Sequence, residues 1–174
     1  MAVGVVAATA ACSSGSSGGP KVATTTTTPV RPGTGTFTMS GRRLDLRVRM
    51  CTTDPGPATD PTATREFLLE ATGADSGTTY TVRVTRFRSN TGQGGTTFTE
   101  TADLLSGSGS DVKGLEARRS SSKGRWIDLL DRAARRPLID RRGDRVRVSG
   151  RFGPQGVSEG DRGIYPAVLD ARCP

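Results

Sequence analysis

Histidine is absent from the 174-residue chain. That excludes Ser-His-Asp and Cys-His catalysis in their usual form. It also removes the commonest zinc and iron ligand. There are three cysteines, Cys12, Cys51 and Cys173. None has CxxC spacing, which argues against zinc and thioredoxin-type sites. No apolar run approaches the ~18 residues that a transmembrane helix needs. Aromatic residues are 5% of the chain, few for the stacking platforms of single-stranded nucleic-acid binding. The glycine-rich stretches GTGTF and GSGSD lack the Lys-Ser/Thr pair of a phosphate loop and read as linkers. Nothing in the sequence calls for a metal or a cofactor.

Positive charge is abundant. The net charge is +8 and the pI about 10.4, and all the cations but Lys21, Lys113 and Lys123 are arginines. Part of this fits a GC-rich coding bias. Between Asp111 and Phe152 there are 13 Arg/Lys against 6 Asp/Glu, a net of +7. A surface of that sign attracts anionic lipid or glycan. Arg118, Arg119, Arg135, Arg136, Arg141 and Arg142 are the candidate anion-binding residues. A solvated basic face that aids solubility is the plainer alternative.

The N-terminus reads as an address. Residues 2–11, AVGVVAATAA, are small, apolar and uncharged, like the end of a signal peptide with its cleavage site. Thr9-Ala10-Ala11-Cys12 resembles a bacterial lipobox, whose cysteine takes diacylglycerol on its thiol. The usual leucine of the first position is replaced by Thr9, and no charged region precedes the apolar run. Both fit a true start codon upstream of Met1. Residues 1–11 are thus read as signal peptide. Residues 12–35 are read as a lipidated cysteine followed by a Ser/Gly/Thr/Pro tether. Such a composition cannot bury enough apolar surface to order itself. As a coil, Ser13–Gly35 would reach roughly 25–30 Å.

If Cys12 carries lipid, Cys51 and Cys173 are left to pair. In an oxidising compartment a disulfide is expected; the alternative is two unpaired buried thiols.

Residues 36–174 are read as a single β-rich domain. Phe37 and Met39 alternate, as in a first edge strand. RRLDLRVRMC places Leu44, Leu46, Val48 and Met50 on one face, with strict period two. Phe67–Thr72 and Thr79–Phe87 are expected to form a hairpin across Asp75-Ser76-Gly77, with Tyr80, Val82 and Val84 on one face. Thr96–Leu105, RVRVSGRF and Tyr165–Cys173 complete about seven short strands. Gly150 marks a bulge or a close approach. In RWIDLLDRAARR, Trp126, Leu129, Leu130 and Ala133 have helical spacing, so one short helix ending at Pro137 is expected. Many short strands with Gly/Pro turns indicate an antiparallel β-sandwich or open barrel.

The lipobox cysteine, the Ser/Gly/Thr tether, "MCTT", "RVRVSGRF" and the terminal "ARCP" together resemble actinobacterial cell-envelope lipoproteins. Loosely, they resemble the mycobacterial nineteen-kilodalton lipoprotein antigen family. The resemblance covers the two ends of the chain. It implies an exported, membrane-anchored, noncatalytic domain, with Cys12 as lipidation site and Cys51–Cys173 as disulfide.

Acid chemistry finds little footing. Glu66 and Glu70 on a strand would lie about 13 Å apart, too far for paired acid–base work. Asp128, Asp131, Asp140 and Asp144 fit no EF-hand loop and are expected to pair with arginines. Arg142-Gly143-Asp144 spells the integrin tripeptide, but a hairpin turn explains it. Two functions are therefore expected of this sequence. The first is an exported, lipid-anchored envelope protein on the outer face of the cell membrane, whose noncatalytic β domain presents a basic surface to a partner, glycan or anionic lipid. The second is a small lipid-anchored hydrolase using Asp/Glu on cell-wall polysaccharide. Nucleic acid is not an expected partner.

Overall fold

The computed structural model describes residues 31–55, 62–91, 95–107 and 112–174. The signal segment, Cys12 and the tether up to residue 30 lie outside the described residues.

Among the described residues ten strands form one antiparallel sheet that curls into a half-barrel. They are β1 (Thr34–Met39), β2 (Arg42–Thr52), β3 (Ala63–Asp75), β4 (Thr78–Thr91), β5 (Gly95–Ser106), β6 (Lys113–Ser122), β7 (Arg125–Asp128), β8 (Ile139–Arg142), β9 (Arg145–Phe152) and β10 (Tyr165–Arg172). Their order is β7-β6-β5-β4-β3-β2-β1-β10-β9-β8. Every neighbour is a sequence neighbour except β1 and β10, which bring the two ends of the domain together. The curl carries β6 to the far end of β9, where Glu116 and Gly153 exchange backbone hydrogen bonds of 2.8 and 3.1 Å.

Alternation builds the core. In β9, Val146, Val148 and Phe152 point inward and are fully buried, while the arginines between them are exposed. Leu46 and Val48 of β2, Val82 and Val84 of β4 and Leu169 of β10 join them on the concave face. Phe37 and Phe152 meet edge to face, 5.3 Å between ring centres. This is the hydrophobic-in, polar-out pattern of an antiparallel sheet with one wet face. The hairpins at Ser40-Gly41, Ser76-Gly77 and Lys123-Gly124 have positive φ at both turn residues. That mirror-image turn matches the twist of the flanking strands.

Several expectations are corrected. β1 is no edge strand, since β2 and β10 flank it, and it starts at Thr34, inside the stretch read as tether. No helix forms among the described residues. Arg125–Asp128 pairs with β6 instead, and Leu129 and Ala133, meant for the buried stripe, are exposed. The Asp128 carboxylate accepts the backbone N–H groups of Leu130 and Asp131. Such local side-chain bonding offers the backbone an alternative to a helix. Residues 129–138 run as turns across one end of the half-barrel. The alternation of β2 also breaks. A register shift between Val48 and Met50 leaves Met50 exposed and turns Cys51 toward the core.

Cys51 and Cys173 form a disulfide, with Cα atoms 5.6 Å apart. It ties the end of β2 to the C-terminus across a sequence separation of 122 residues. Gly150 is a close approach: a Cβ there would lie 2.6 Å from Leu138 Cδ1.

Candidate functional site

At the end of the half-barrel crossed by residues 129–138, the inward row of the sheet is charged. Phe67, Arg86, Glu100, Arg119 and Asp128 are directly opposite one another from β3 to β7. Their signs alternate after the phenylalanine, and opposite charges on facing strands attract.

Glu100 has no exposed surface. Its Oε2 accepts the N–H of Leu138 at 2.6 Å and that of Ile139 at 3.1 Å. Its Oε1 lies 2.9 Å from Arg86 Nη2. Burial pushes the carboxyl above its ordinary value; Arg86, the two amides and Arg119 pull it back without cancelling that push. Arg119 and Asp128 form a second buried pair at 2.7 Å, with side chains 7% and 1% exposed. Arg119 also donates to the carbonyl oxygens of Arg136 and Pro137. The two carboxylates therefore hold residues 129–138 by backbone amides, and Arg119 holds the same segment by its carbonyls.

Around this network the surface is concave and basic. A cavity of about 860 Å³ is lined by Arg119, Arg135, Arg136, Arg141 and Arg142, together with Arg86 and Arg147. Five of the six arginines picked out in the sequence thus share one cavity wall. Arg118 does not: it is exposed on the convex face of β6, opposite Thr101. Arg119 contributes a guanidinium already engaged by Asp128 and two carbonyls, so it is a scaffold for the mouth and no free cation. Five of these six arginines surround a hollow and form no flat face.

A second cavity of about 410 Å³ adjoins it, lined by Arg65, Phe67, Arg86, Ile139 and Arg141 among others. The Arg141 guanidinium lies over the Phe67 ring, 5.4 Å from its centre. Arg65 enters through a register shift between Arg65 and Phe67. The extra residue breaks the alternation, so Thr64, Arg65, Glu66 and Phe67 all line the cavity. Sequence reasoning missed Arg65, Arg86 and Arg147. A signal for Arg86 was present: extending the inward period of Val82 and Val84 by two residues reaches it.

The acidic residues serve mainly as partners. Glu66 faces Arg88 at 3.4 Å and Glu70 faces Arg83 at 3.2 Å. Asp140 pairs with Arg142, and Asp144 with Arg172. Among the described residues no group of three or more metal-ligating side chains comes together. One acid pair escaped the sequence. Asp103 and Glu116 are directly opposite on the convex face, and burial together with Glu116 raises the Asp103 carboxyl. Neither lines the two arginine cavities. Arg142-Gly143-Asp144 sits at the β8–β9 hairpin, with Gly143 and Asp144 as its turn.

Fold and site together define a disulfide-closed antiparallel half-barrel with an arginine-lined mouth. The chain matches no protein-family model, no curated protein and no solved structure.

Proposed function

We propose that this chain is an exported envelope lipoprotein, anchored to the outer face of the cell membrane through Cys12. Its β domain is noncatalytic and presents the arginine-rich mouth to an anionic lipid or glycan. The observation that carries this reading is the Cys51–Cys173 disulfide. It favours an oxidising compartment. It also uses two of the three cysteines and leaves Cys12, next to its lipobox-like residues, as the odd thiol. The likeness of the chain ends to actinobacterial envelope lipoproteins supports the same reading. The clustering of Arg135, Arg136, Arg141 and Arg142 on one concave wall supports anion contact over a merely solvated face. The hydrolase alternative draws little from the site: Asp103 and Glu116 face outward, and the acids that line the arginine cavities are already engaged, Asp140 by Arg142, Glu66 by Arg88 and Asp131 by the amide of Ala133.

Flotation of the full-length Cys12→Ala chain with vesicles tests the anion contact. Binding to anionic vesicles at low ionic strength, lost as salt is raised, is expected. No binding at low salt would contradict contact with an anionic lipid.

A further inference from the structure

We propose that the cavity between Arg65, Arg86 and Arg141 is a discrete site for a phosphate group carried on a small organic moiety. This deepens the anion-binding part of the proposed function and rests on it.

Three observations converge there. The Nε atoms of Arg65 and Arg86 are buried and have no hydrogen-bond partner among the described residues. A buried donor left unpaired is costly, and an incoming acceptor recovers that cost. Arg141 makes no ion pair among the described residues, whereas its neighbour Arg142 pairs with Asp140. It is held instead over the Phe67 ring, which keeps a full positive charge at the rim. The nearby carboxylates balance only part of this charge: Glu100 is ion-paired with Arg86 at 2.9 Å, and its Oε1 makes no hydrogen bond among the described residues. Glu66 is matched by Arg88 outside the cavity. Glu100 accepts the amides of Leu138 and Ile139 through one oxygen and meets only one terminal nitrogen of Arg86 through the other.

The ligand class follows from the donors. Three guanidinium groups around one hollow suit an anion with three terminal oxygens, which a phosphomonoester has and a carboxylate lacks. Phe67 and Ile139, both buried, form the cavity floor, and the remaining volume leaves room for the esterified organic part. The volume, about 410 Å³, lies in the range of small-molecule sites. The same chemistry describes a soluble sugar phosphate and the monoester headgroup of a membrane lipid.

The test uses the full-length oxidised chain. It is titrated calorimetrically with a sugar phosphomonoester, and floated with vesicles containing phosphatidic acid against phosphatidylcholine alone. Saturable one-to-one binding is expected. Arg65→Ala and Arg141→Ala should each weaken it at least ~10-fold, as loss of a charged hydrogen bond implies. Arg118→Ala, on the convex face, should leave it within about twofold. Arg65→Lys keeps the charge but loses the fork, and should also weaken binding. Thermal midpoints of the variants separate loss of site from loss of fold; Arg141, exposed on the short β8, decides the matter if Arg65→Ala does not fold. Vesicle binding displaced by the soluble ester identifies a headgroup in this site. Ester binding without vesicle binding identifies a soluble ligand. Anionic-vesicle binding indifferent to both Arg65→Ala and Arg141→Ala overturns the site and leaves the basic-surface reading intact. Failure to bind either probe at low salt overturns both.

Discussion

The carboxylate of Glu100 on β5 accepts the backbone N–H of Leu138, 38 residues further along the chain, at 2.6 Å. This contact holds the segment that crosses the mouth of the half-barrel, and it is made by a group whose burial raises its affinity for a proton. The folded chain therefore binds that proton at a higher pH than the unfolded chain does. Between the ordinary value of 4.5 and the raised one, the folded state holds more protons. Stability contributed by this group is thus greatest below that window and declines as pH rises through it. Glu100→Gln should lack this decline. Asp103, raised by burial and by Glu116, adds a slope of the same sign that the Glu100 variant retains. Thermal melts of both proteins from about pH 4 to 8 check this: the wild-type midpoint relative to Glu100→Gln should fall with rising pH, and a constant difference would refute the assignment.

Arg118 and Arg119 are neighbours in sequence with opposite environments. Arg119 is in a buried pair with Asp128, whose other oxygen accepts two backbone amides. Breaking such a pair strands a buried charge and costs about 3–5 kcal/mol. Asp128→Ala should be destabilised by that order in chemical denaturation. Arg118→Ala, exposed, should stay within ~0.5 kcal/mol of wild type. Equal effects would mean that the buried ladder does not organise this end of the domain.

Gly73 on β3 is packed where no side chain fits. A Cβ there would lie 2.5 Å from the backbone oxygen of Asp45 and 3.0 Å from Leu46 Cδ2. The obstacle is backbone, so it cannot swing aside. Gly73→Ala should cost about 1–3 kcal/mol by overpacking, despite the usual gain from replacing a strand glycine. At Gly150 the obstacle is the tip of Leu138, a movable side chain, so Gly150→Ala should be milder. Denaturant midpoints of the two variants decide it; the reverse order would show that β2 and β3 are not this close.

Much of the sheet was legible because a face that must be buried writes period two into the sequence. RVRVSGRF is β9 and RRLDLRVR most of β2 for that reason. What stayed hidden had other causes. The inward positions of β6 are Leu115, Ala117, Arg119 and Ser121, so half the inward face is polar and the alternation disappears. Their burial depends on Glu100, Asp128 and the crossing segment, which are remote in sequence. Register shifts at Val48–Met50 and Arg65–Phe67 move residues between faces without any compositional mark. The supposed helix failed because Asp128 bonds the backbone ahead of it and because Arg125–Asp128 had a strand partner in β6. For the site, arginine density drew attention to the correct region. Which arginines are free and which are structural is set by cross-strand neighbours.

The disulfide closes nearly the whole domain into one loop, with a separation of 122 residues. Restricting the unfolded chain over a loop that long is worth about 2–5 kcal/mol. Cys51→Ser with Cys173→Ser, or reduction of the wild-type protein, should lower the denaturation midpoint accordingly. A midpoint unchanged by reduction would contradict a stabilising bridge.

Anchoring through Cys12 is the claim from which location and partner class follow. Metabolic labelling with a lipid analogue in the native host, comparing wild type with Cys12→Ala, tests it most directly. Label on the wild-type chain and none on the variant is the expected result. A wild-type chain that takes up no label would contradict it.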